Sequence, residues 1–176
     1  MNDLWLLQFA WPVAVSDAAP PLPLSLALAP DAAGLQVCRS LDGSAGLAYL
    51  PASNASPGAE WVRLRCLRDL PGASSNARAA CHYVVETDVL PEHEDDFNAW
   101  YEEEHLPGLA SVPGTVRAAR YAREAGVPRY YACYDLATLD TFESPAWLAV
   151  RGSDWSSRVR PSFRNTRRTM YRRVSG

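Results

Sequence analysis

The sequence predicts an α+β fold whose repeating unit is the ferredoxin-like β-α-β-β-α-β arrangement. The second half of the chain alternates strand-like and helix-like segments in this order, and a short loop containing Gly126 and Pro128 joins its two central strands. The first half holds three further β-rich segments. We therefore expect two tandem units, a degenerate one at residues 1–76 and a complete one at residues 77–176, separated by a polar stretch at residues 72–78.

The elements of the second half follow from composition and periodicity. Residues 79–89 are rich in β-branched and aromatic residues and predict a strand. Residues 92–109 predict a helix, because acidic residues occupy the first turn and Phe97, Trp100 and Tyr101 recur at helical spacing. The remaining predicted elements are strands at residues 115–123 and 129–136, a shorter helix at 142–151 and a last strand at 167–174.

The first half predicts a trimmed copy of the same unit. Its expected elements are strands at residues 4–11, 35–41 and 46–50, with a short proline-flanked helix at residues 21–34. Residues 60–70 fit two patterns, since the leucines recur at helical spacing while apolar residues also alternate with arginines as in a strand. We predict a helix here.

Composition argues against several classes of function. The formal net charge of −3 over 176 residues argues against a nucleic-acid-binding protein. All 17 basic residues are arginine, so Schiff-base chemistry, a pyridoxal phosphate anchor and a P-loop lysine are excluded. The four cysteines form no C-x-x-C pair and predict reduced, mostly buried thiols in a cytoplasmic protein. The apolar N-terminal segment is shorter than the roughly 20 residues that cross a bilayer, so no membrane partner is expected.

One longer motif points to a family. Residues 95–121 read D-x-F-N-x-W-Y-x-x-E-H-L-P-x-L-x-x-V-P-G-x-x-x-A-x-R-Y, followed later by PRYYACYDL and WSSRVRPSFRNTRRTMYRRV. Over residues 79–174 the chain resembles the EthD-like members of the dimeric α+β-barrel superfamily. The resemblance implies two ferredoxin-like units whose sheets form a barrel, with helices outside and a cavity for a small organic ligand. The second sheet would come either from the N-terminal half or from a second chain in a homodimer.

His105 is the leading candidate for chemistry. An imidazole has an unperturbed pKa of about 6.5 and can exchange protons near neutral pH. The resemblance makes the histidine of E-H-L-P a pocket residue. We expect nearby glutamates to raise the pKa of His105, and Glu104 to orient its ring. The alternative is a histidine that caps the end of the helix. His82, in the strand at residues 79–89, fits a pocket base or a core histidine, and we favour the core.

The strand pattern supplies further candidates for substrate binding. In residues 129–136, Tyr131 faces away from Tyr130 and Tyr134; in residues 115–123, Tyr121 faces away from Arg120. Trp100, Tyr101 and Tyr121 are the predicted pocket wall, with Tyr131 and Arg120 as further ligand contacts. Which strand face lines the cavity stays open at this point, as does a core role for the tyrosines.

The charged residues of the helix and of the C-terminal segment predict a structural pairing. The three consecutive glutamates at residues 102–104 lie near the helix C-terminus, where the helix dipole disfavours them slightly. We expect them to pair with arginines of the segment at residues 158–173. His93 and His105 are three turns apart on one helix, about 18 Å, too far to share a metal ion.

The leading functional hypothesis is a small-molecule-binding α+β-barrel protein. As an enzyme it would be a cofactor-independent isomerase, cyclase or lyase that acts on a small apolar or aromatic compound, with no metal. The rival hypothesis is a non-catalytic binding or accessory protein of a catabolic or biosynthetic pathway. A third is haem or oxygen chemistry with His105 as axial ligand.

Overall fold

The computed structural model describes residues 2–11, 34–52 and 57–175, and these contain eight strands that close into one barrel. The strands are β1 (Leu4–Ala10), β2 (Gln36–Ser40), β3 (Ala45–Pro51), β4 (Val62–Pro71), β5 (Cys81–Val89), β6 (Thr115–Arg123), β7 (Tyr130–Leu136) and β8 (Phe163–Ser175). The order around the barrel is β1-β3-β2-β8-β5-β7-β6-β4, and every neighbouring pair is antiparallel.

The barrel contains two four-stranded sets with the same internal order. The C-terminal strands run β8-β5-β7-β6, and the N-terminal strands run β4-β1-β3-β2, so each set follows the order fourth, first, third, second. Pairing of β2 with β8 and of β4 with β6 joins the two sets. The predicted α+β fold is confirmed, and the barrel closes within a single chain. The boundary between residues 76 and 77, and the homodimer, stay predictions.

The helix predicted at residues 92–109 is a continuous helical run with an irregular centre. A 3₁₀ turn at Pro91–His93 leads into α1 (Glu94–Trp100), a π-helical turn at Tyr101–His105 and α2 (Leu106–Ala110). Proline lacks an N–H group and its ring clashes with the carbonyl four residues earlier, so Pro107 accounts for the break in the α-helical pattern. The N–H of Leu106 instead donates to the carbonyl of Tyr101, five residues back.

The second helical region differs from its prediction. The segment predicted as a helix at residues 142–151 begins with part of a 3₁₀ turn and becomes α3 only at Pro145–Arg151. A further helix, α4 (Asp154–Val159), was not predicted. Both α3 and α4 have a serine N-cap, since Ser144 accepts a hydrogen bond from the N–H of Trp147 and Ser153 accepts one from the N–H of Ser156.

The helix predicted at residues 60–70 is wrong, because this segment forms β4. Its pairing with β1 on one side and β6 on the other closes the barrel. Main-chain hydrogen bonding to two neighbours outweighs the helical spacing of the leucines, which is a weak local preference. The helix predicted at residues 21–34 lies, apart from Gly34, outside the described residues. Among the described residues, no helix is long and apolar enough to span a bilayer.

The core has separate layers on the two sides of the sheet. One cluster draws residues from all eight described strands and therefore fills the barrel: Leu6, Cys38, Leu47, Tyr49, Leu64, Val84, Ala119, Tyr121, Tyr131, Cys133 and Tyr171. A second cluster lies between the C-terminal strands and the helices and includes Tyr83, Phe97, Trp100, Leu106, Ala118, Tyr134 and Trp147. The alternation predicted for β6 and β7 is confirmed. The four cysteines are free thiols, three of them buried.

Candidate functional site

The space between the helical run and the outer face of the C-terminal strands contains an open groove and a small, narrower cavity. Tyr101, in the π-helical turn, contacts residues of both. The guanidinium carbon of Arg120 lies 4.4 Å from the centre of the Tyr101 ring, and the His105 ring packs edge-on against the same ring at 5.4 Å. The groove contains Arg120 and the cavity contains His105.

The groove has the size of a small-molecule pocket. Its volume is about 560 Å³, within the range of roughly 300–1,000 Å³ that is common for ligand sites. Residues of α1, the π-helical turn, β4, β6 and the start of β7 line it: Arg65, Leu67, Glu94, Asp95, Asn98, Ala99, Glu102, Glu103, Arg120, Ala122, Arg129 and Tyr130.

Arg120 lies at the base of this groove in a cage of aromatic rings. It is only 5% exposed, and its guanidinium lies 4.4–4.8 Å from the centres of the Phe97, Tyr101 and Tyr130 rings. It donates one hydrogen bond of 2.6 Å to the side chain of Asn98, and its Nε has no partner among the described residues. Burial lowers the pKa of Arg120, although the neighbouring tyrosines act in the opposite direction. The groove therefore contains a buried positive charge without a carboxylate partner.

A carboxylate and a phenol lie beside this arginine. The Tyr130 hydroxyl donates a short hydrogen bond to Glu94, and Arg129 pairs with the same carboxylate at 2.7 Å. Burial and the hydrogen bond to Glu94 raise the pKa of Tyr130. Because both groups line the groove, a bound molecule would meet a guanidinium and a proton-exchanging pair together.

His105 lies in the small cavity on the other side of Tyr101. It is 7% exposed and stacks on Trp100 with ring centres 4.0 Å apart. The cavity has a volume of about 30 Å³, and Tyr83, Tyr134, Trp147, Arg151, Arg160 and Arg168 are among its lining residues. The Nδ1 atom of His105 has no hydrogen-bond partner among the described residues. The helix continues to Ala110, so the predicted role of His105 as an end cap is wrong.

The predicted rise in the pKa of His105 is also wrong. Burial, with further contributions from the positive charges of Arg160 and Arg151, lowers this pKa to about 3. The imidazole is therefore neutral at physiological pH and can donate or accept one hydrogen bond there. As a general base in this state it would be weak.

The glutamates do not approach His105 in the predicted way. The carboxylate of Glu104 accepts a hydrogen bond of 2.5 Å from Ser153, so it does not orient the ring in this structure. Glu102 pairs with Arg68 of β4. The predicted pairing with the C-terminal arginines is therefore wrong for Glu102, while Glu104 forms no direct ion pair among the described residues but its charge acts on Arg158.

Tyr121 and Tyr131 lie on the other side of the sheet from His105. Both are 1% exposed and belong to the cluster that fills the barrel. Arg117 donates to the Tyr121 hydroxyl at 2.9 Å and forms a two-bond pair with Asp69. The structure thus brings His105, Trp100, Tyr101 and Arg120 near one another but separates them from these two tyrosines.

A buried polar network at one end of the barrel was not predicted as a unit. Nδ1 of His82 lies 2.8 Å from Asp135, Nε2 lies 3.1 Å from the Tyr49 hydroxyl, and Arg173 donates to Asp135 at 2.7 Å. Burial alone would raise the pKa of Asp135, but the hydrogen bonds and charges of His82 and Arg173 hold it well below its usual range. His82 has a partner at each ring nitrogen, as a core histidine requires.

The residues fit neither haem nor a metal ion. A cavity of about 30 Å³ is comparable to the roughly 30 Å³ that one water occupies in the liquid, so His105 has no room for an axial porphyrin. Among the described residues, no group of three or more histidine, cysteine, aspartate or glutamate side chains could hold a metal ion.

Comparisons with known proteins identify the fold. No family model and no curated protein matches the chain. Solved structures match over nearly the whole chain, among them the following three. A haem-degrading enzyme from Listeria monocytogenes has a TM-score of 0.63 at 9% identity, covering 97% of this chain and 99% of that one. A ferredoxin-fold protein related to antibiotic biosynthesis monooxygenases, also from Listeria monocytogenes, has a TM-score of 0.63 at 8% identity. The match covers 100% of this chain and 97% of that one. An anthrone oxidase-like protein gives 0.61 at 14%, covering 99% and 92%.

These similarities show a shared ferredoxin-like α+β fold, since identities this low carry no functional assignment. Membership of the EthD-like family and a cytoplasmic location remain predictions. The chain is thus an eight-stranded α+β-barrel protein over its described residues, of the same fold as the solved monooxygenase-related structures.

Proposed function

We propose that this chain binds a small aromatic molecule in the groove beside Arg120, and that it catalyses a proton transfer on that molecule without a cofactor. Arg120 would bind a negatively charged oxygen of the ligand, such as a phenolate, a carboxylate or the oxygen of an enolate. The buried guanidinium without a carboxylate partner is the observation that carries the proposal.

The surroundings of Arg120 support this ligand class. A guanidinium held among three aromatic rings is fixed in direction and has lost most of its water. A buried charge of this kind binds an incoming anion more strongly than an exposed arginine does, because little solvent screens the pair. The ring of Tyr130 and the side chains of Leu67 and Ala122 offer apolar surface to the aromatic ring of a ligand.

The proton transfer would use Glu94 and Tyr130. The carboxylate of Glu94 would accept a proton from the bound ligand, and Arg120 would stabilise the enolate or phenolate that results. Isomerisation and cyclisation both pass through such anions. The matched structures named as an anthrone oxidase-like protein and as a relative of monooxygenases suggest oxygenation as another use of the same anion. The catalytic role of His105 remains a separate prediction; the carboxylate of Glu104, proposed to orient the ring, bonds to Ser153 in this structure.

Binding of 2-naphthoate tests the proposal. Replacing Arg120 by glutamine should weaken binding of this anion, measured by isothermal titration calorimetry, by about tenfold or more, because one charge-assisted hydrogen bond is lost. The neutral analogue 2-naphthamide should bind both proteins with similar affinity. The affinity of Arg120→Lys for 2-naphthoate should lie between those of the wild type and Arg120→Gln, since lysine keeps the charge and loses the planar guanidinium.

Arg63→Gln is the matched control. Arg63 is an exposed arginine that pairs with Asp3 outside the groove, so this variant should bind 2-naphthoate as the wild type does. Thermal unfolding of each variant establishes that the barrel is intact. Equal affinity of wild type and Arg120→Gln for 2-naphthoate would contradict the proposal.

A further inference from the structure

We propose that the small cavity beside His105 is a second binding site, which takes a small carboxylate between the cavity wall and Arg151, Arg160 and Arg168. The site is distinct from the groove and does not depend on the function proposed for Arg120.

The cavity wall contains polar atoms that need a partner. His105 Nδ1, Trp100 Nε1, Trp147 Nε1 and the Tyr134 hydroxyl are buried and have no hydrogen-bond partner among the described residues. Buried polar groups are nearly always paired, so four such atoms around one cavity require an explanation. An indole N–H can only donate, and a tyrosine hydroxyl donates readily. The missing partner is therefore rich in acceptors.

The charges around the cavity are positive and unbalanced. No aspartate or glutamate lines it, and none of its three arginines forms an ion pair or a side-chain hydrogen bond with a described residue. Arg151 instead lies over the Phe142 ring at 5.5 Å. Burial, and then the positive charges of Arg151 and Arg168, lower the pKa of Arg160.

Arginines elsewhere on the same sheet behave differently. Arg167 pairs with Glu86 and Arg173 pairs with Asp135, although both belong to β8 as Arg168 does. Carboxylates thus pair with these two arginines of β8, whereas the three cavity arginines have none among the described residues. Three neighbouring guanidinium groups repel one another, and an anion between them would relieve that repulsion.

The size of the cavity selects the kind of anion. A volume of about 30 Å³ is similar to the roughly 30 Å³ that one water occupies in the liquid, so one oxygen of a carboxylate enters and a ring does not. Acetate, or the carboxylate end of a longer acid whose body remains outside, satisfies this limit. Tetrahedral phosphate is larger and carries more charge, so we use it as the competing class.

The test observes the indole N–H groups directly. In ¹⁵N–¹H spectra of the whole protein, acetate at constant ionic strength should shift the Trp100 and Trp147 indole signals saturably. Those of Trp11 and Trp61, whose indole nitrogens also have no partner among the described residues but which belong to a separate cluster beside the N-terminal strands, should not move. Sodium chloride alone should leave all four in place. Assignment uses single Trp→Phe variants.

Two arginine variants of the same strand provide the matched pair. Arg168→Gln should weaken the acetate response by about tenfold or more, because a charged hydrogen-bond donor is lost. Arg172, four residues along β8, is exposed on the same face and does not line the cavity, so Arg172→Gln should respond as the wild type does. Arg120→Gln should also keep the response, which separates this site from the groove.

Several results would overturn the inference. Equal weakening by Arg168→Gln and Arg172→Gln would mean that acetate acts through general surface charge. Equal shifts with chloride would mean the same. Saturable shifts with phosphate but none with acetate would reject the carboxylate class.

Discussion

Replacing Asp135 by alanine is expected to lower the free energy of unfolding by about 3–5 kcal/mol, the loss typical of breaking a buried ion pair from one side. Asp135 is 6% exposed and accepts hydrogen bonds from His82 and from Arg173. Its removal leaves one ring nitrogen of His82 and the Arg173 guanidinium without their acceptor inside the barrel end. Urea unfolding monitored by far-UV circular dichroism measures the change.

A second variant at Asp135 and a variant of a surface ion pair test whether the loss of stability comes from the buried network. Asp135→Asn keeps one carbonyl acceptor in the same place, so its loss of stability should be smaller than that of the alanine variant. Asp96 also pairs with an arginine, but the side chains of that pair are 63% and 40% exposed. Asp96→Ala should therefore lower the free energy of unfolding far less than Asp135→Ala does. Similar losses for Asp135→Ala and Asp96→Ala would show that the barrel-end network does not stabilise the fold.

The Asp135 network illustrates what the sequence could and could not predict. Alternation along β7 placed Tyr131, Cys133 and Asp135 on one face, which is correct. The partnership with His82 depends on the register of β5 against β7, in which these two residues lie directly opposite each other. Fifty-three residues separate them in the chain, and no local pattern specifies which strands become neighbours.

The same limit explains the error at β4. Its leucines have helical spacing, and only the neighbours β1 and β6 impose the extended form. The helical run at residues 91–110 was predictable because its acidic start and its aromatic face are local signals. Its π-helical turn had a local signal as well: Pro107 shortly after His105 forbids a regular helix there.

The prediction for His105 failed in its electrostatics because the sequence shows only neighbours along the chain. The adjacent glutamates suggested a raised pKa, yet their carboxylates bond to Ser153 and Arg68. The charges that face the ring come from Arg151 and Arg160, more than 40 residues away in the sequence. The ring lines a small cavity beneath the helix, and its role in binding a ligand stays a prediction.

Stability should fall as the pH is lowered from 6.5, and His105 should account for much of the slope. The pKa of this imidazole is about 3 in the folded protein against 6.5 for the free side chain. Between these values the unfolded chain binds a proton that the folded protein does not, so the stabilisation is complete above pH 6.5 and is lost as the pH falls. The slope approaches about 1.4 kcal/mol per pH unit for one proton.

Urea unfolding at several pH values between 4.5 and 7.5 measures that slope in wild type and in His105→Gln, which cannot bind the proton. We expect the slope of the free energy of unfolding against pH to be smaller in the variant by the contribution of about one proton. The exposed His93 provides the control, and His93→Gln should keep the wild-type slope. Asp135, whose pKa is lowered from 3.8, contributes only at more acidic pH. If His105→Gln retained the wild-type slope, the ring would have to be protonated in the folded state. The conclusion that the cavity wall contains a neutral imidazole would then be wrong.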